Sequence, residues 1–139
     1  MIELSKRMNY NFINNIKLSS PDIVFNYFKT ILEDKKQEYF YCVYLDTSKK
    51  VIENKLMFIG TINESMIHPR EIFKEAYKLS ASSIILLHNH PSGNINPSNN
   101  DKITTLNLKK IGEFLGIKIV DHIIITNDKY YSFLEHGEI

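Results

Sequence analysis

Residues 82–101 read SSIILLHNHPSGNINPSNND and predict a strand, a loop and the start of a helix. The run SSIILL at 82–87 is too short for a stable helix, and its continuous apolar character is typical of a buried strand. The residues after it are rich in Asn, Pro, Gly and Ser, which favour turns. Helix signals resume at Ser98. We therefore expect a polar loop to leave the end of a buried strand and to lead directly into a helix.

The segments on either side alternate between helical and strand patterns. Helices are predicted from Ser20, as N-cap, to near Asp34–Lys36, at 69–79, and from Ser98 to Gly116. Strands are predicted at 38–45, 51–60, 82–87, 117–125 and 130–133. The order α–β–β–α–β–α–β–β predicts an α/β (α+β) domain in which helices flank a mixed sheet.

The last of these helices is predicted to bury an apolar stripe. Its apolar residues follow the i, i+3, i+4 spacing of one helical face. They are Ile103, Leu106, Leu108, Ile111, Phe114 and Leu115.

Composition and charge limit the class of protein. The 139 residues, 43% hydrophobic and 24% charged, suit one globular domain at 20–139, preceded by a polar arm at 1–19. The single cysteine, Cys42, excludes a disulfide framework and is predicted to be a small core residue. A net charge of +1 argues against a dedicated nucleic-acid binder. With neither a membrane span nor a signal peptide in the sequence, we expect a cytoplasmic protein that does not contact membranes.

Two histidines stand at the end of the buried strand. Side chains at i and i+2 of a strand point to the same face, so His88 and His90 can reach one ion if the strand continues that far. A His-x-His pair by itself is more often ordinary loop polarity than a metal site. His122, before a run of isoleucines, is predicted to be a structural histidine, with a contact to a metal ligand as the alternative.

The helix start offers a third ligand. Ser98 and Asp101 have the Ser-x-x-Asp spacing of a capping box, and capping is the simpler interpretation. The cap nevertheless places the Asp101 carboxylate on the first helical turn, just after the loop from the histidines. Two histidines and one carboxylate with an open fourth position are the pattern of catalytic zinc.

These residues spell His-x-His, seven residues, Ser, two residues, Asp. The spacing resembles the JAMM (MPN+) metalloprotease motif, and the surrounding sequence resembles the RadC family within that superfamily. The resembling stretches are EYFYCVYLDT at 38–47, GTINESMIHPREIFKEA at 60–76, ILLHNHPSGNINPSNND at 85–101 and LGIKIVDHIII at 115–125. Together they indicate a resemblance over residues 20–139.

The resemblance implies a JAMM/MPN-like fold of the cytidine deaminase-like kind and one zinc ion per chain. His88, His90 and Asp101 would bind the zinc, with a water in the fourth position. Glu38 would be the general base and Ser98 the oxyanion donor, in hydrolysis of a peptide or isopeptide bond of a peptide or protein substrate. From the residues alone, other glutamates compete with Glu38 for this role. They are Glu33, Glu53, Glu64, Glu71 and Glu75.

Other functions stay open at this stage. RadC proteins often carry an N-terminal helix-hairpin-helix region, whereas only about twenty residues precede the domain in this sequence, so we expect a short form. A DNA-repair-associated accessory or binding protein with the same fold is the first alternative, with nucleic acid as its partner. A two-metal phosphodiesterase is the second. A zinc nucleobase deaminase is disfavoured because the sequence has no Pro-Cys-x-x-Cys ligand pair.

Overall fold

Helices and strands follow one another in the predicted order along residues 16–63 and 65–139, which the computed structural model describes. The helices are α1 (Pro21–Leu32), α2 (Pro69–Lys78) and α3 (Asn99–Leu115). The strands are β1 (Tyr39–Leu45), β2 (Val51–Ile59), β3 (Ser83–Asn89), β4 (Lys118–Ile125) and β5 (Tyr130–Ser132). The predicted arm at 1–19 lies outside the described residues except for 16–19, where Lys17 bridges to Lys50 and Leu18 is buried.

The strands form one mixed sheet in the order β2-β1-β3-β4-β5, which confirms the predicted fold class. Neighbouring strands are antiparallel except for β3 and β4, which are parallel and are joined by α3. A parallel pair needs such a crossover connection, and a helix is its usual form. Every residue of β3 is buried, as its apolar run predicts. The described helices include none long and apolar enough to cross a membrane.

The helices cover both faces of the sheet. On one face α1 packs its buried Phe25 and Phe28 in the same cluster as Ile85 and Leu87 of β3. On the other face Ile84 and Leu86 share a cluster with residues of α2 and α3, namely Ile72, Phe73, Ala76 and Leu108. Cys42 is buried in this second cluster, as predicted. Because side chains alternate along a strand, His88 of β3 belongs to the face that α2 and α3 cover.

The first helix begins where it is predicted but ends earlier. Ser20 holds the N-cap position, but its side chain makes no capping hydrogen bond. The helix ends at Leu32, earlier than Asp34–Lys36, because Glu33 is extended and Asp34 has a φ of 61°. Glu38, predicted to begin the first strand, lies one residue before β1. The C-terminal end of α1 and the N-terminal end of β1 are therefore both shorter than the sequence indicates.

The predicted apolar stripe of α3 is half confirmed, because Ile111 and Leu115 pack, partly buried, against the core beside Leu108. Leu108 is buried, but Ile103, Leu106 and Phe114 are 42%, 50% and 91% exposed. Apart from Leu108, the buried face of α3 is made of small and polar residues. They are Asp101, Thr104, Thr105 and Gly112. This face lies against the ends of β3 and β4, where polar groups gather, so Ile103, Leu106 and Phe114 are left on the outer side.

Gly112 marks the closest approach of α3 to the chain that follows it. A Cβ atom at this position would lie 2.3 Å from the main-chain oxygen of Ile117. Glycine inside a helix normally costs stability relative to alanine. Here the backbone contact reverses that preference, and Gly112 is required for the turn from α3 into β4.

We expect Gly112→Ala to lower the free energy of unfolding by about 1–3 kcal/mol, the usual cost of overpacking. Urea unfolding followed by circular dichroism measures this change. Glu113→Ala is the matched control, because residue 113 lies in the same turn and is exposed. A Gly112→Ala variant at least as stable as this control would contradict the close approach.

Candidate metal centre

His88 and His90 converge at the carboxyl end of β3. His88 is the last but one residue of the strand and is completely buried, while His90 follows its end. Their Nε2 atoms lie 3.0 Å apart and their ring centroids 4.8 Å apart. The i, i+2 spacing therefore brings two imidazole nitrogens to one point, as the sequence predicts.

Asp101 reaches the same point from the first turn of α3. The predicted capping box is confirmed: the Ser98 main-chain N–H donates to Asp101 Oδ2 at 2.8 Å, and the Asp101 N–H donates to Ser98 Oγ at 3.0 Å. The carboxylate also lies against both imidazoles, with Oδ1 3.4 Å from His88 Nε2 and Oδ2 3.2 Å from His90 Nε2. The helix cap thus holds a buried carboxylate beside the two histidines.

Glu38 reaches the histidines from the segment that leads into β1. Its Oε1 lies 3.6 Å from His90 Nε2. Glu38, His88 and His90 each offer one ligand atom, and these three atoms all lie within 4.8 Å of one another, close enough to share a metal ion. Of the competing glutamates, Glu75 pairs instead with Lys55 at 3.1 Å. Glu64 lies outside the described residues.

Asn89 positions the segment that carries Glu38, a role that the sequence analysis missed. Its Oδ1 accepts a hydrogen bond from the Tyr39 main-chain N–H at 2.6 Å, and its Nδ2 donates to the Gln37 carbonyl at 3.0 Å. The residue between the two histidines therefore fixes the backbone on both sides of Glu38. Its place between them was the only signal in the sequence.

The second nitrogen of each imidazole has a defined partner. His90 Nδ1 lies 2.7 Å from the Asn94 carbonyl, and His88 Nδ1 lies 2.7 Å from His122 Nε2. A carbonyl only accepts, so His90 Nδ1 carries a proton and the Nε2 of a neutral His90 is bare. The alternative prediction for His122, contact with a candidate ligand, matches its position.

Burial and charge act on these groups in opposite directions. Burial lowers the pKa of His88. Burial also lowers the pKa of His90, but the hydrogen bond and charge of Asp101, with further contributions from Asn94 and Glu38, raise it overall. For Asp101, burial raises the pKa, but hydrogen bonds with His88 and His90 lower it well below its usual range. The carboxylate is therefore ionised and faces two imidazoles.

The donor set fits a zinc ion. Imidazole nitrogens and carboxylate oxygens are zinc ligands, and a three-residue set leaves a position open. The Nε2 atoms of His88 and His90 lie 3.0 Å apart, so a proton or a cation must lie between them. A buried carboxylate beside them supplies the negative charge that a divalent cation requires.

Four of the five candidate residues line one cleft. The cavity has a volume of about 520 Å³, and its lining includes Glu38, His90, Ser98 and Asp101. Thr61, on the segment after β2, also lines the cleft. His88 does not line the cavity. It is buried, and its Nε2 contacts His90 and Asp101.

Comparisons with known proteins agree with the resemblance seen in the sequence. A family model described as RadC-like JAB domain matches residues 18–138. The chain is 44% identical over 137 residues to a UPF0758 protein of Chlorobium chlorochromatii, covering 99% of this chain and 62% of that one. It is 46% identical over 136 residues to a UPF0758 protein of Staphylococcus haemolyticus, covering 97% and 60%. The chain thus spans about three fifths of the length of these curated relatives.

Proposed function

Because the chain belongs to the RadC-like JAB domain family, we propose that it is a zinc-dependent hydrolase of the JAMM type that cleaves a peptide or isopeptide bond. One observation carries the proposal. Two histidine nitrogens and the Asp101 carboxylate meet within 3.4 Å at the end of β3, with a further carboxylate beside them. A purely structural polar cluster would not need Glu38 on the wall of an open cleft.

His88, His90 and Asp101 are the residues that would hold the metal. Asp101 suits the role of third ligand better than Glu38, because its side chain is 2% exposed, is fixed by the helix cap and contacts both histidines. When bound, zinc would supply a Lewis acid that polarises the substrate carbonyl and lowers the pKa of water. No fourth protein ligand is assigned, so a substrate has an open position to approach.

Glu38 is placed to transfer a proton during the reaction. Its side chain is 18% exposed and lines the cleft, so it reaches both solvent and the ligand cluster. As general base it accepts a proton from the attacking water, and as general acid it returns that proton to the leaving nitrogen. Asn89 holds the backbone around Glu38, which keeps this carboxylate aimed at the same point in each turnover.

Ser98 combines capping with catalysis. In the cap its Oγ accepts a hydrogen bond from the Asp101 N–H, which uses a lone pair and leaves the hydroxyl proton available. Ser98 also lines the cleft. Its hydroxyl would donate to the oxygen that becomes negatively charged when water attacks the carbonyl. The cap fixes the position of this donor before the substrate arrives.

Metal content tests the proposal directly. After dialysis, elemental analysis is expected to find one zinc ion per chain in the wild-type protein. His90→Ala and the double variant His88→Ala/His90→Ala should lose this zinc, because they remove one and two of the three ligands. His68→Ala is the control, since His68 is exposed at the start of α2. Thermal melts identify any variant that fails to fold. Full zinc retention by a folded double variant would overturn the site.

A further inference from the structure

A row of buried hydrogen bonds leads away from the candidate metal centre behind His88. His88 Nδ1 lies 2.7 Å from His122 Nε2, and His122 Nδ1 lies 2.5 Å from Thr105 Oγ1. Thr105 Oγ1 in turn lies 2.6 Å from the main-chain oxygen of Asp101. All of these residues are buried. The row therefore begins at one candidate ligand and ends on the backbone of another.

The direction of each hydrogen bond follows from the last member of the row. The Asp101 main-chain oxygen only accepts, so the single hydroxyl proton of Thr105 is donated to it. Thr105 Oγ1 must then accept from His122, which places the His122 proton on Nδ1. His122 is completely buried, and none of the hydrogen bonds of its ring among the described residues is to a carboxylate, so a charged ring would be unpaired and the ring is neutral.

A neutral His122 with a proton on Nδ1 has a bare Nε2. That nitrogen can only accept, so His88 must donate from Nδ1. The Nε2 of His88 is then bare and faces His90 and Asp101. This is the tautomer that a histidine needs in order to bind a metal through Nε2.

Packing keeps the His122 ring in this orientation. The ring stacks on Phe133, with centroids 4.8 Å apart and planes 10° apart, and it meets the edge of Phe40 at 6.0 Å. The carboxylate of the neighbouring Asp121 does not compete for His122, since it accepts from Ser132, from Leu134 and from the His122 main chain. The contact that sets the tautomer is therefore the hydroxyl of Thr105.

We propose that Thr105, acting through His122, is a positioning residue that holds His88 in the Nδ1–H tautomer and so raises the affinity of the site for zinc. The inference rests on the proposed function, because it requires His88 to bind the metal. Ligand histidines are commonly oriented by a hydrogen bond to their second nitrogen, and loss of such a partner typically weakens metal binding about 10–100-fold. In this chain the partner is a second histidine, itself oriented by a helix hydroxyl.

Substitutions on one turn of α3 separate this role from packing. Thr105→Val keeps the shape of the side chain and removes its hydroxyl. Without that acceptor, the proton of His122 can lie on Nε2 and be donated to His88 Nδ1. The proton of His88 then lies on Nε2, the nitrogen that would bind the metal. Thr105→Ser keeps the hydroxyl. Thr104→Val is the matched control, because Thr104 is equally buried but its Oγ1 has no hydrogen-bond partner among the described residues.

The dissociation constant for zinc is measured by competition with a chromophoric chelator at fixed pH. We expect a rise of about 10–100-fold for Thr105→Val, and values within about threefold of the wild type for Thr105→Ser and Thr104→Val. Thermal melts of the metal-free variants report on folding. Equal zinc affinity in wild type and a folded Thr105→Val variant would overturn the inference and leave the proposed function intact.

A second measurement needs no variant. Nitrogen-15 NMR of the histidine side chains distinguishes the two tautomers in the metal-free wild-type protein. We expect protons on Nδ1 of both His88 and His122. A proton on Nε2 of His122 would overturn the inference even if every Thr105 variant misfolded. Failure of the wild type to bind zinc, together with the expected tautomers, would instead remove the proposed function and, with it, the effect on zinc affinity.

Discussion

Glu38→Gln is expected to keep the full zinc content and to lower kcat/KM by about 10²–10⁴-fold, the usual contribution of a general base. The amide has the size of the carboxylate but cannot accept a proton from water. Glu38 is the carboxylate of the cluster that faces the cleft without being fixed in the helix cap. The loss should therefore fall on the chemical step rather than on the metal.

A panel of fluorescence-quenched peptides and isopeptide-linked peptides serves as substrate for this measurement. Glu33→Gln is the matched control, since Glu33 is exposed after the end of α1 and competed with Glu38 in the sequence. It should turn over like the wild type. Normal turnover by a zinc-loaded Glu38→Gln protein would assign the base to another residue.

Ser98→Asp is expected to retain the fold and to lose activity by about 10²–10³-fold. Aspartate is a good N-cap, so the hydrogen bond from the Asp101 N–H can be kept. Its negative charge, however, would stand where the oxyanion forms, and the hydroxyl donor would be gone. This one substitution should therefore remove activity without lowering the stability of the helix.

Ser98→Ala completes this test, because it removes both the cap and the donor. We expect it to lose activity and about 0.5–2 kcal/mol of stability. Thermal melts, turnover on the same substrates and zinc content are compared for the two variants and the wild type. If Ser98→Asp binds zinc, melts like the wild type and turns over normally, Ser98 is a helix cap and nothing more.

The sequence is most informative where local rules and the fold agree. The apolar run of β3 predicts a buried strand, and the i, i+2 spacing then brings His88 and His90 together. The capping box at Ser98 and Asp101 predicts both the start of α3 and the place of the third candidate ligand, a carboxylate. These features depend on residues close together in the chain, so they can be read without the tertiary structure.

The sequence is least informative where long-range contacts decide. Periodicity predicts that Phe114 faces the core, yet it is exposed. The buried face of α3 instead carries Asp101 and Thr105, because Asp101 contacts His88 of β3 and Thr105 contacts His122 of β4. Asn89 and Thr105 carry no pattern of their own, since their partners lie 50 and 17 residues away for the key contacts. The choice of Glu38 among several glutamates likewise required the pairing of β1 with β3, or the family resemblance.

The Asn89 contact also bears on the order in which the site is assembled. The two histidines and Asp101 lie within one short stretch of chain, whereas Glu38 joins them only across a contact that spans 50 residues. Closing a longer loop costs more entropy, so a contact of high sequence separation is slower to form. A folding chain is therefore expected to bring the two histidines and Asp101 together before Glu38 joins them. The proposed hydrolysis would then require the sheet to close first.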